Sequence, residues 1–175
     1  MRINDGRIVE IRNTKVSDAS DLLDFFAKTV IESDALTTAP GEVSYTVEEE
    51  EKIIMNWIEN KSCNNLLCLY DGRIIGICGL HGTDKRKRIK HMSSLGITVA
   101  KEFWGLGIGY FLIQEQIRYA KEVGLKKIDL EVRCDNKAGI HLYKKCGFEI
   151  EGTHRCAAYI DGIYKDNYYM GIIIY

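Results

Sequence analysis

The feature that most constrains the fold is a glycine-dense turn between an apolar, strand-like run and an amphipathic helix. The run LGITV at residues 95–99 is followed by glycines at 105, 107 and 109. Glycine tolerates positive φ and has no Cβ, so consecutive backbone N–H groups can converge on a phosphate. From Ile108 the apolar residues recur with helical spacing, and the start of a helix adds unpaired amides and the positive end of its dipole. The turn therefore predicts a strand, an anion site and a helix in direct succession.

This turn lacks the signatures of two common phosphate-binding motifs. A P-loop requires Gly-Lys-Ser/Thr after its glycines, whereas Gly109 is followed by Tyr110 and Phe111. A dinucleotide-binding Gly-x-Gly-x-x-Gly requires a third glycine three residues after the second. Counted from Gly107 that position is a tyrosine, and counted from Gly109 it is Leu112. A phosphate site of another kind and a strand-to-helix turn without any ligand both remain open at this level.

Composition is typical of one ordinary globular domain. The chain has 175 residues, of which 46% are hydrophobic, and a formal net charge of −1. This length can bury a substantial core, and the charge shows no bias toward nucleic acid. No long apolar run predicts a membrane span or a signal peptide, so a cytoplasmic protein is expected. The length and composition favour one domain over residues 1–175. The six cysteines include no Cys-x-x-Cys pair, and we therefore expect neither a metal site nor a disulfide framework.

Periodicity and turn signals predict strands that alternate with helices. A Thr-x-x-Glu capping box at Thr46 and Glu49 starts one helix, and the glutamates at 48–51 stand in its first turn. The helix dipole favours negative charge there, and attraction of a cationic amine is the alternative role. The dipeptides Asp71-Gly72 and Asp161-Gly162 each predict a β-hairpin. The expected strands are 7–12, 66–70, 73–80, one ending at 99, 128–133, 157–160 and 163–175, and the expected helices are 17–31, 46–59, one from 108 and one from 136.

Two segments together resemble the GNAT superfamily of acyl-CoA-dependent N-acetyltransferases. They are the turn TVAKEFWGLGIG at 98–109 and the stretch IDLEVRCDNKAGIHLYKKCGF at 128–148. The family's turn reads Gln/Arg-x-x-Gly-x-Gly/Ala, and its later helix carries Leu-Tyr-x-Lys-x-Gly-Phe. The resemblance is clearest over residues 91–175. Trp104 stands where the family usually has Gln or Arg, which changes the side chain offered to a pyrophosphate and leaves backbone contacts intact.

The resemblance implies both a fold and an activity. The implied fold is a single GNAT-like α/β domain with a mixed, mostly antiparallel sheet of about seven strands, flanked by about four helices. The implied activity is transfer of an acetyl group from acetyl-CoA, as co-substrate, to a primary amine of a small molecule or peptide by direct attack. A catalytically silent acetyl-CoA-binding sensor or scaffold is the alternative. Homodimers are common among such proteins, and the tyrosines of the last strand either serve such an interface or are ordinary strand composition: Tyr164, Tyr168, Tyr169 and Tyr175.

The resemblance also implies the residues that contact acetyl-CoA. In the family the strand before the turn diverges from its neighbour and binds pantetheine through backbone groups, which here assigns Ile97, Thr98 and Val99. One buried face of an ordinary strand is the alternative for this run. Asn136, an expected helix cap, is implied to contact the pantetheine arm as well. The implied pyrophosphate site consists of Trp104, Gly105, Leu106, Gly107, Ile108 and Gly109.

Acetyl transfer also needs an acid and a base. Tyr143 matches the tyrosine by which the family protonates the departing CoA sulfur, and a core tyrosine is the alternative. Many relatives carry a glutamate on the strand before the turn, but this strand reads HMSSLGITV and holds no acid. His91, Glu32, Asp34 and a relay of water are the alternatives for the base, and the sequence leaves them open.

Overall fold

The computed structural model describes residues 1–36, 38–42, 44–82 and 86–175, and within them a mixed sheet carries helices on both faces. The strands are β1 Glu10–Asn13, β2 Asn64–Tyr70, β3 Arg73–Gly82, β4 Met92–Val99, β5 Lys127–Arg133, β6 Glu149–Ile160 and β7 Ile163–Ile173. The α-helices are α1 Ala19–Glu32, α2 Val47–Glu59, α3 Ile108–Val123 and α4 Lys137–Lys145. Short 3-10 turns at Val16–Asp18 and Lys101–Phe103 lead toward α1 and α3. None of the described helices is long and apolar enough to cross a membrane.

The sheet is antiparallel except at one place. Its strand order is β1-β2-β3-β4-β5-β7-β6, and only β4 and β5 are parallel. They pair over three residue pairs, from Met92 opposite Lys127 to Ser94 opposite Asp129. On its other side β4 stays paired with β3 as far as Val99. The expected fold class is therefore confirmed, as is the expected divergence of the strand that precedes the glycine turn.

Local turn chemistry explains the two hairpins. Asp71 and Gly72 have φ values of 48° and 76°, and Asp161 and Gly162 have 49° and 81°. Positive φ at both central residues defines the type I′ turn, which matches the twist of the paired strands. Both predicted hairpins are confirmed, as is the capping box that starts α2.

Two strand boundaries differ from those expected. The first strand begins at Glu10, and Ile8 forms only an isolated bridge with Arg2. Strand β6 begins at Glu149, eight residues before the expected start. Its register with β7 shifts twice, and Cys156 has a φ of 53°. Most of its side chains are exposed, so the alternation of apolar and polar residues that reveals a half-buried strand is missing there.

A buried glutamine ties α3 to the centre of the sheet. Gln116 is 0% exposed, and its Nε2 donates to the carbonyl oxygens of Asn64 and Cys78, at 3.1 and 2.6 Å. Its Oε1 accepts a hydrogen bond of 3.0 Å from the Asn64 side chain. The amide therefore has partners for both of its atoms, which fixes the rotation of α3 over β2 and β3.

Replacing Gln116 by leucine should lower the free energy of unfolding by about 2 kcal/mol, because the Asn64 amide and two buried carbonyl groups lose their partners. Urea denaturation of the wild type and the variant measures this difference. Lys121→Leu, on the exposed side of the same helix, is the control and should change stability little. Equal effects of the two substitutions would contradict a structural role for the amide.

Candidate active site

The divergence of β4 and β5 opens a cleft of about 1070 Å³. It begins beyond Ser94, the last residue of β4 that pairs with β5. Tyr143 and Asn136, both assigned to the site from the sequence, lie on its wall together with Ile97 and Thr98. The opposite wall is built by α1, α2 and the segment between them, so the cleft reaches from the gap between the two strands to the other face of the sheet.

The direction of the peptide groups along β4 decides which of them face this gap. The N–H group of Ala100 donates to the carbonyl of Ile75, at 2.9 Å, and therefore points toward β3. Peptide groups alternate in direction along a strand, so those of Thr98 also point toward β3. Those of Ile97 and Val99 point into the gap. Of the three residues assigned to pantetheine, these two offer backbone groups to a ligand there, whereas Thr98 offers only its side chain, toward α1 and α2.

Trp104 engages one of these backbone groups. Its indole Nε1 donates to the carbonyl oxygen of Val99 at 2.6 Å, while half of the residue remains exposed. The side chain therefore folds back onto the end of β4 and holds the turn against the strand. Consequently Val99 keeps only its N–H group for a ligand, whereas Ile97 offers both a donor and an acceptor on this part of the strand edge.

The three glycines of the turn serve two different purposes. Gly105 and Gly107 have φ values of 75° and 88°, as expected, and Gly107 is the residue that caps α3. Gly109 lies inside α3 and does not adopt the positive φ that glycine permits. A Cβ on Gly109 would approach the side chains of Leu142 and Ile97 to 3.0 and 3.6 Å. Glycine at this position lets α3 pack closely against α4 and β4.

The amino-terminal segment braces the same turn. The N–H group of Asn4 donates to the carbonyl of Leu106 at 3.2 Å, and its side chain lies 3.3 Å from where a Cβ of Gly107 would stand. Leu106 is partly buried, and Ile108 is 1% exposed. Any contact of Ile108 with a ligand would therefore come from its backbone amide at the start of α3.

Tyr143 and Asn136 are held by their surroundings on α4. Tyr143 is 9% exposed, and its ring packs edge-on against Phe148. Burial, with a smaller contribution from Cys78 and Cys146, raises the pKa of Tyr143, so its hydroxyl remains protonated. Asn136 caps α4 by accepting a hydrogen bond of 2.9 Å from the N–H group of Gly139. The cap predicted from the sequence is present, and the residue also lies on the cleft wall.

The three side chains considered as a base lie outside the cleft, and two of them are engaged elsewhere. Glu32 accepts a hydrogen bond of 2.8 Å from the N–H group of Lys101. Asp34 forms an ion pair of 3.0 Å with Arg133. His91 lies just before β4, at the end where β4 and β5 are still paired. Among the described residues, none of the three lines the cleft.

Other titratable groups do line it, and the sequence analysis missed most of them. Glu131 accepts hydrogen bonds from His154 Nδ1 at 3.2 Å and from Asn167 at 3.1 Å. Glu50 and His81 lie on the opposite part of the wall. Glu50 belongs to the acidic first turn of α2, for which attraction of an amine was an alternative role. It lies four residues before the fully buried Ile54, on the same face of α2, and no sequence signal distinguishes it from the neighbouring glutamates.

Arg133 closes one side of the cleft. Its guanidinium donates to the backbone carbonyl of Asp34 at 2.6 Å and forms ion pairs with Asp34 and, at 2.8 Å, with Asp135. Lys165 adds a contact of 3.1 Å to Asp135. Arg133, with a smaller contribution from Lys165, lowers the pKa of Asp135. This network links the segment after α1 to the end of β5.

Comparison with known proteins places the chain beside N-acetyltransferases. The profile of the acetyltransferase (GNAT) family matches residues 30–148. The L-amino acid N-acetyltransferase AaaT of Escherichia coli is 35% identical over 106 residues, which cover 60% of this chain and 65% of that relative. The match therefore leaves part of that relative uncovered.

Solved structures show the same likeness over nearly the whole chain. An acetyltransferase of the GNAT family from Streptococcus pneumoniae is 32% identical with a TM-score of 0.92, and the match covers 96% of this chain and 100% of that one. The spermidine N-acetyltransferase from Vibrio cholerae, solved in complex with CoA and spermine, is 22% identical with a TM-score of 0.74 and 95% coverage of both chains. At that identity the second likeness concerns the fold alone.

Replacing Arg133 by glutamine should release the segment after α1 and speed amide hydrogen exchange in residues 33–36. Lys165→Gln is the matched control, because Lys165 contacts Asp135 without touching Asp34. Unchanged exchange in the Arg133 variant would show that the network does not hold this segment.

The contribution of Asp135 to this network depends on pH. Since the pKa of Asp135 is lowered in the folded protein, its stabilising contribution is complete above the ordinary aspartate pKa of 3.8 and is lost as the pH falls below that value.

Proposed function

The chain belongs to the acetyltransferase (GNAT) family, and from this premise we propose that it transfers an acetyl group from acetyl-CoA to a primary amine of a small molecule or peptide. The observation that carries the proposal is the gap between β4 and β5, which has free backbone groups on one edge and Tyr143 on its wall. The family match over residues 30–148 includes both features.

The residues present fit acetyl-CoA as co-substrate. The turn with Gly105 and Gly107 in the left-handed conformation, followed by the start of α3, offers backbone N–H groups to the phosphates. Ile97 and Asn136 lie where a ligand that follows the edge of β4 would pass them. The Trp104 side chain is bound to Val99, so we assign this position a role in shaping the turn through its backbone.

Tyr143 is the general acid in this proposal. Its raised pKa keeps a proton on the phenol, which the hydroxyl donates to the sulfur as the carbon–sulfur bond of the tetrahedral intermediate breaks. Attack by the amine is direct, without an acetylated cysteine. Cys68 and Cys78 are 0% exposed, and burial raises the pKa of Cys68 to about 11 and that of Cys78 further. Such thiols remain protonated and are poor nucleophiles.

Three further features complete the proposal. Residues 1–175 act as one domain, which is supported by a continuous cluster of buried residues that joins the sheet to its helices. The protein works in the cytoplasm, which is supported by the thiols of Cys68, Cys78, Cys134, Cys146 and Cys156, since reduced thiols are typical of that compartment. A homodimer is supported by the exposed tyrosines of the last hairpin, of which Tyr159 and Tyr164 pack against each other.

Release of CoA thiol from acetyl-CoA in the presence of amino acids, polyamines, aminoglycosides and short peptides tests the activity, with thermal stabilisation by acetyl-CoA measured in parallel. We expect stabilisation and amine-dependent release. Stabilisation without release for any amine would favour the silent acetyl-CoA-binding domain. The absence of both signals would contradict the CoA site itself.

Tyr143→Phe should lower kcat by roughly 10²-fold or more, because the departing sulfur loses its proton donor, while the affinity for acetyl-CoA stays within about twofold. Tyr119→Phe is the control, since it removes a hydroxyl that donates to the Lys61 carbonyl outside the cleft. A Tyr143 variant with wild-type turnover would rule out the phenol as the acid.

A further inference from the structure

Two buried polar side chains on the cleft wall have atoms without a hydrogen-bond partner among the described residues. Glu50 is 4% exposed and Asn65 is 5% exposed, and both line the cleft. Throughout the described part of the chain, Glu50 Oε1 and both amide atoms of Asn65 have no hydrogen-bond partner. Burying such groups costs free energy unless something binds them. Their position indicates that a polar ligand of the cleft is this partner.

His81 belongs to the same cluster. Asn65 lies opposite Gly79 in the β2–β3 ladder, and His81 follows two residues later on the same face of the sheet. Asn65 Oδ1 and His81 Nε2 both lie over the Cα of Gly79, where His81 Nε2 is 2.6 Å from the position a Cβ would take. Glycine at position 79 therefore makes room for the two polar groups to approach each other. The edge of the His81 ring contacts Trp57 of α2, at a centroid separation of 5.5 Å.

This cluster stands at the closed end of the gap between β4 and β5. His81 lies opposite Ser94, the last residue of β4 that pairs with β5. A ligand whose phosphates bind at the glycine turn, after the other end of β4, extends toward Ser94 when it follows the open strand edge. That edge spans roughly 13 Å from Leu95 to Val99 at the ~3.3 Å rise of a strand. The reactive end of such a ligand therefore approaches His81.

On the basis of the proposed acetyltransferase function, we propose that Glu50, Asn65 and His81 form the subsite for the acceptor amine. The Glu50 carboxylate holds the ammonium group, the Asn65 amide orients it, and the His81 imidazole takes its proton. The carboxylate that β4 lacks is thus supplied by α2, and the base is supplied by β3.

Desolvation prepares both titratable groups for these roles. Burial raises the pKa of Glu50, because its carboxylate is unfavourable until a cation is bound beside it. The surroundings of the His81 ring lower the pKa of that imidazole, although the ring is open to the cleft. His81 is therefore neutral near pH 7 and has a lone pair free to accept a proton.

Charged groups face His81 from two sides. Glu42, Glu50, Glu131 and Arg133 share the main cleft with it. Arg86 and Asp129 line a smaller cavity on the other side of the ring. A pH dependence assigned to His81 must therefore be separated from the ionisation of these carboxyl groups by the substitutions below.

The charges of the main cleft also define the class of acceptor. Three glutamates line it: Glu42, Glu50 and Glu131. The guanidinium of Arg133 is already paired with Asp34 and Asp135. An acceptor that carries a carboxylate beside its amine would be repelled by these glutamates. It would also find no unpaired cationic side chain among the described residues of the cleft. We therefore expect cationic amines without an adjacent carboxylate, such as polyamines and carboxyl-blocked amino acids, to be preferred over free amino acids.

The protons balance in the proposed step. His81 takes one proton from the ammonium group and later releases it to water. The freed nitrogen lone pair forms the bond to the acetyl carbon, and the carbon–sulfur bond then breaks with its electron pair on sulfur. Tyr143 protonates that sulfur and regains a proton from the acylated nitrogen. The products are the N-acetyl amine, CoA thiol and one proton in solution.

The first test compares two histidines of the cleft wall with L-alaninamide as acceptor. His81→Gln should lower kcat/KM for the amine at least 30-fold and remove the low-pH ionisation from its pH profile. His154→Gln is the matched control, because His154 also lines the cleft but is hydrogen-bonded to Glu131, and it should lose less than threefold. Loss in the His154 variant with normal activity of the His81 variant would overturn the assignment of the base.

The second test uses Glu50→Gln with L-alanine and L-alaninamide, which share the amine and differ in the carboxylate. The wild type should prefer the amide, and the variant should reduce that preference at least tenfold. This preference is the ratio of kcat/KM for L-alaninamide to kcat/KM for L-alanine. Comparing this ratio between the wild type and the variant cancels the different basicities of the two amines. An unchanged ratio would show that Glu50 does not select the acceptor.

Thermal stabilisation by acetyl-CoA, measured for every variant, separates this proposal from the proposed function. Normal stabilisation together with the losses above supports the subsite. An active wild type whose Glu50 and His81 variants keep full activity refutes the subsite and leaves the acetyltransferase function standing. A wild type that binds acetyl-CoA but releases no thiol with any amine refutes the function instead.

Discussion

The early end of the parallel pairing between β4 and β5 is the constraint on which the rest of the site depends. The two strands share only three residue pairs, yet each is held along its length by its other neighbour, β4 by β3 and β5 by β7. The gap is therefore rigid on both sides. Backbone groups of Ile97 that would otherwise pair with β5 remain free, and unpaired backbone groups favour a ligand that can satisfy them. Strand divergence thus provides an internal sheet edge without exposing it to other chains.

The glycine turn at the end of β4 shows how one motif can combine unrelated constraints. Gly105 and Gly107 are favoured by backbone conformation, whereas Gly109 leaves room for the close approach of Leu142 from α4. Trp104 replaces the polar residue usual in the family and bonds to Val99 through its indole. The turn is therefore held to its strand by a side chain, and the proposed anion site is left to the backbone amides.

Features set by neighbouring residues could be predicted from the sequence, and features set by distant contacts could not. The Asp-Gly turns, the capping box at Thr46 and the glycine turn each depend on a few consecutive residues, and all three were located correctly. The start of β6 was missed because its exposed, bulged residues carry no alternation. The importance of Glu50 was missed because four consecutive glutamates look alike until the packing of α2 buries one of them. His81 was missed because its neighbour Asn65 comes from another strand.

Burial shifts the pKa values of Tyr143 and His81 in opposite directions, yet it favours the neutral form of both side chains. Burial disfavours the charged form of any group, so it raises the pKa of Tyr143 and lowers that of His81. Each is thereby kept neutral near pH 7. A neutral phenol has a proton to give, and a neutral imidazole has a lone pair to accept one, so a single physical effect prepares both the proposed acid and the proposed base. The carboxyl group of Glu50 is the exception, since burial disfavours the charged form that it needs. In the proposed subsite its charge is stabilised by the ammonium group of the acceptor, which makes binding of a cation and ionisation of Glu50 one coupled event.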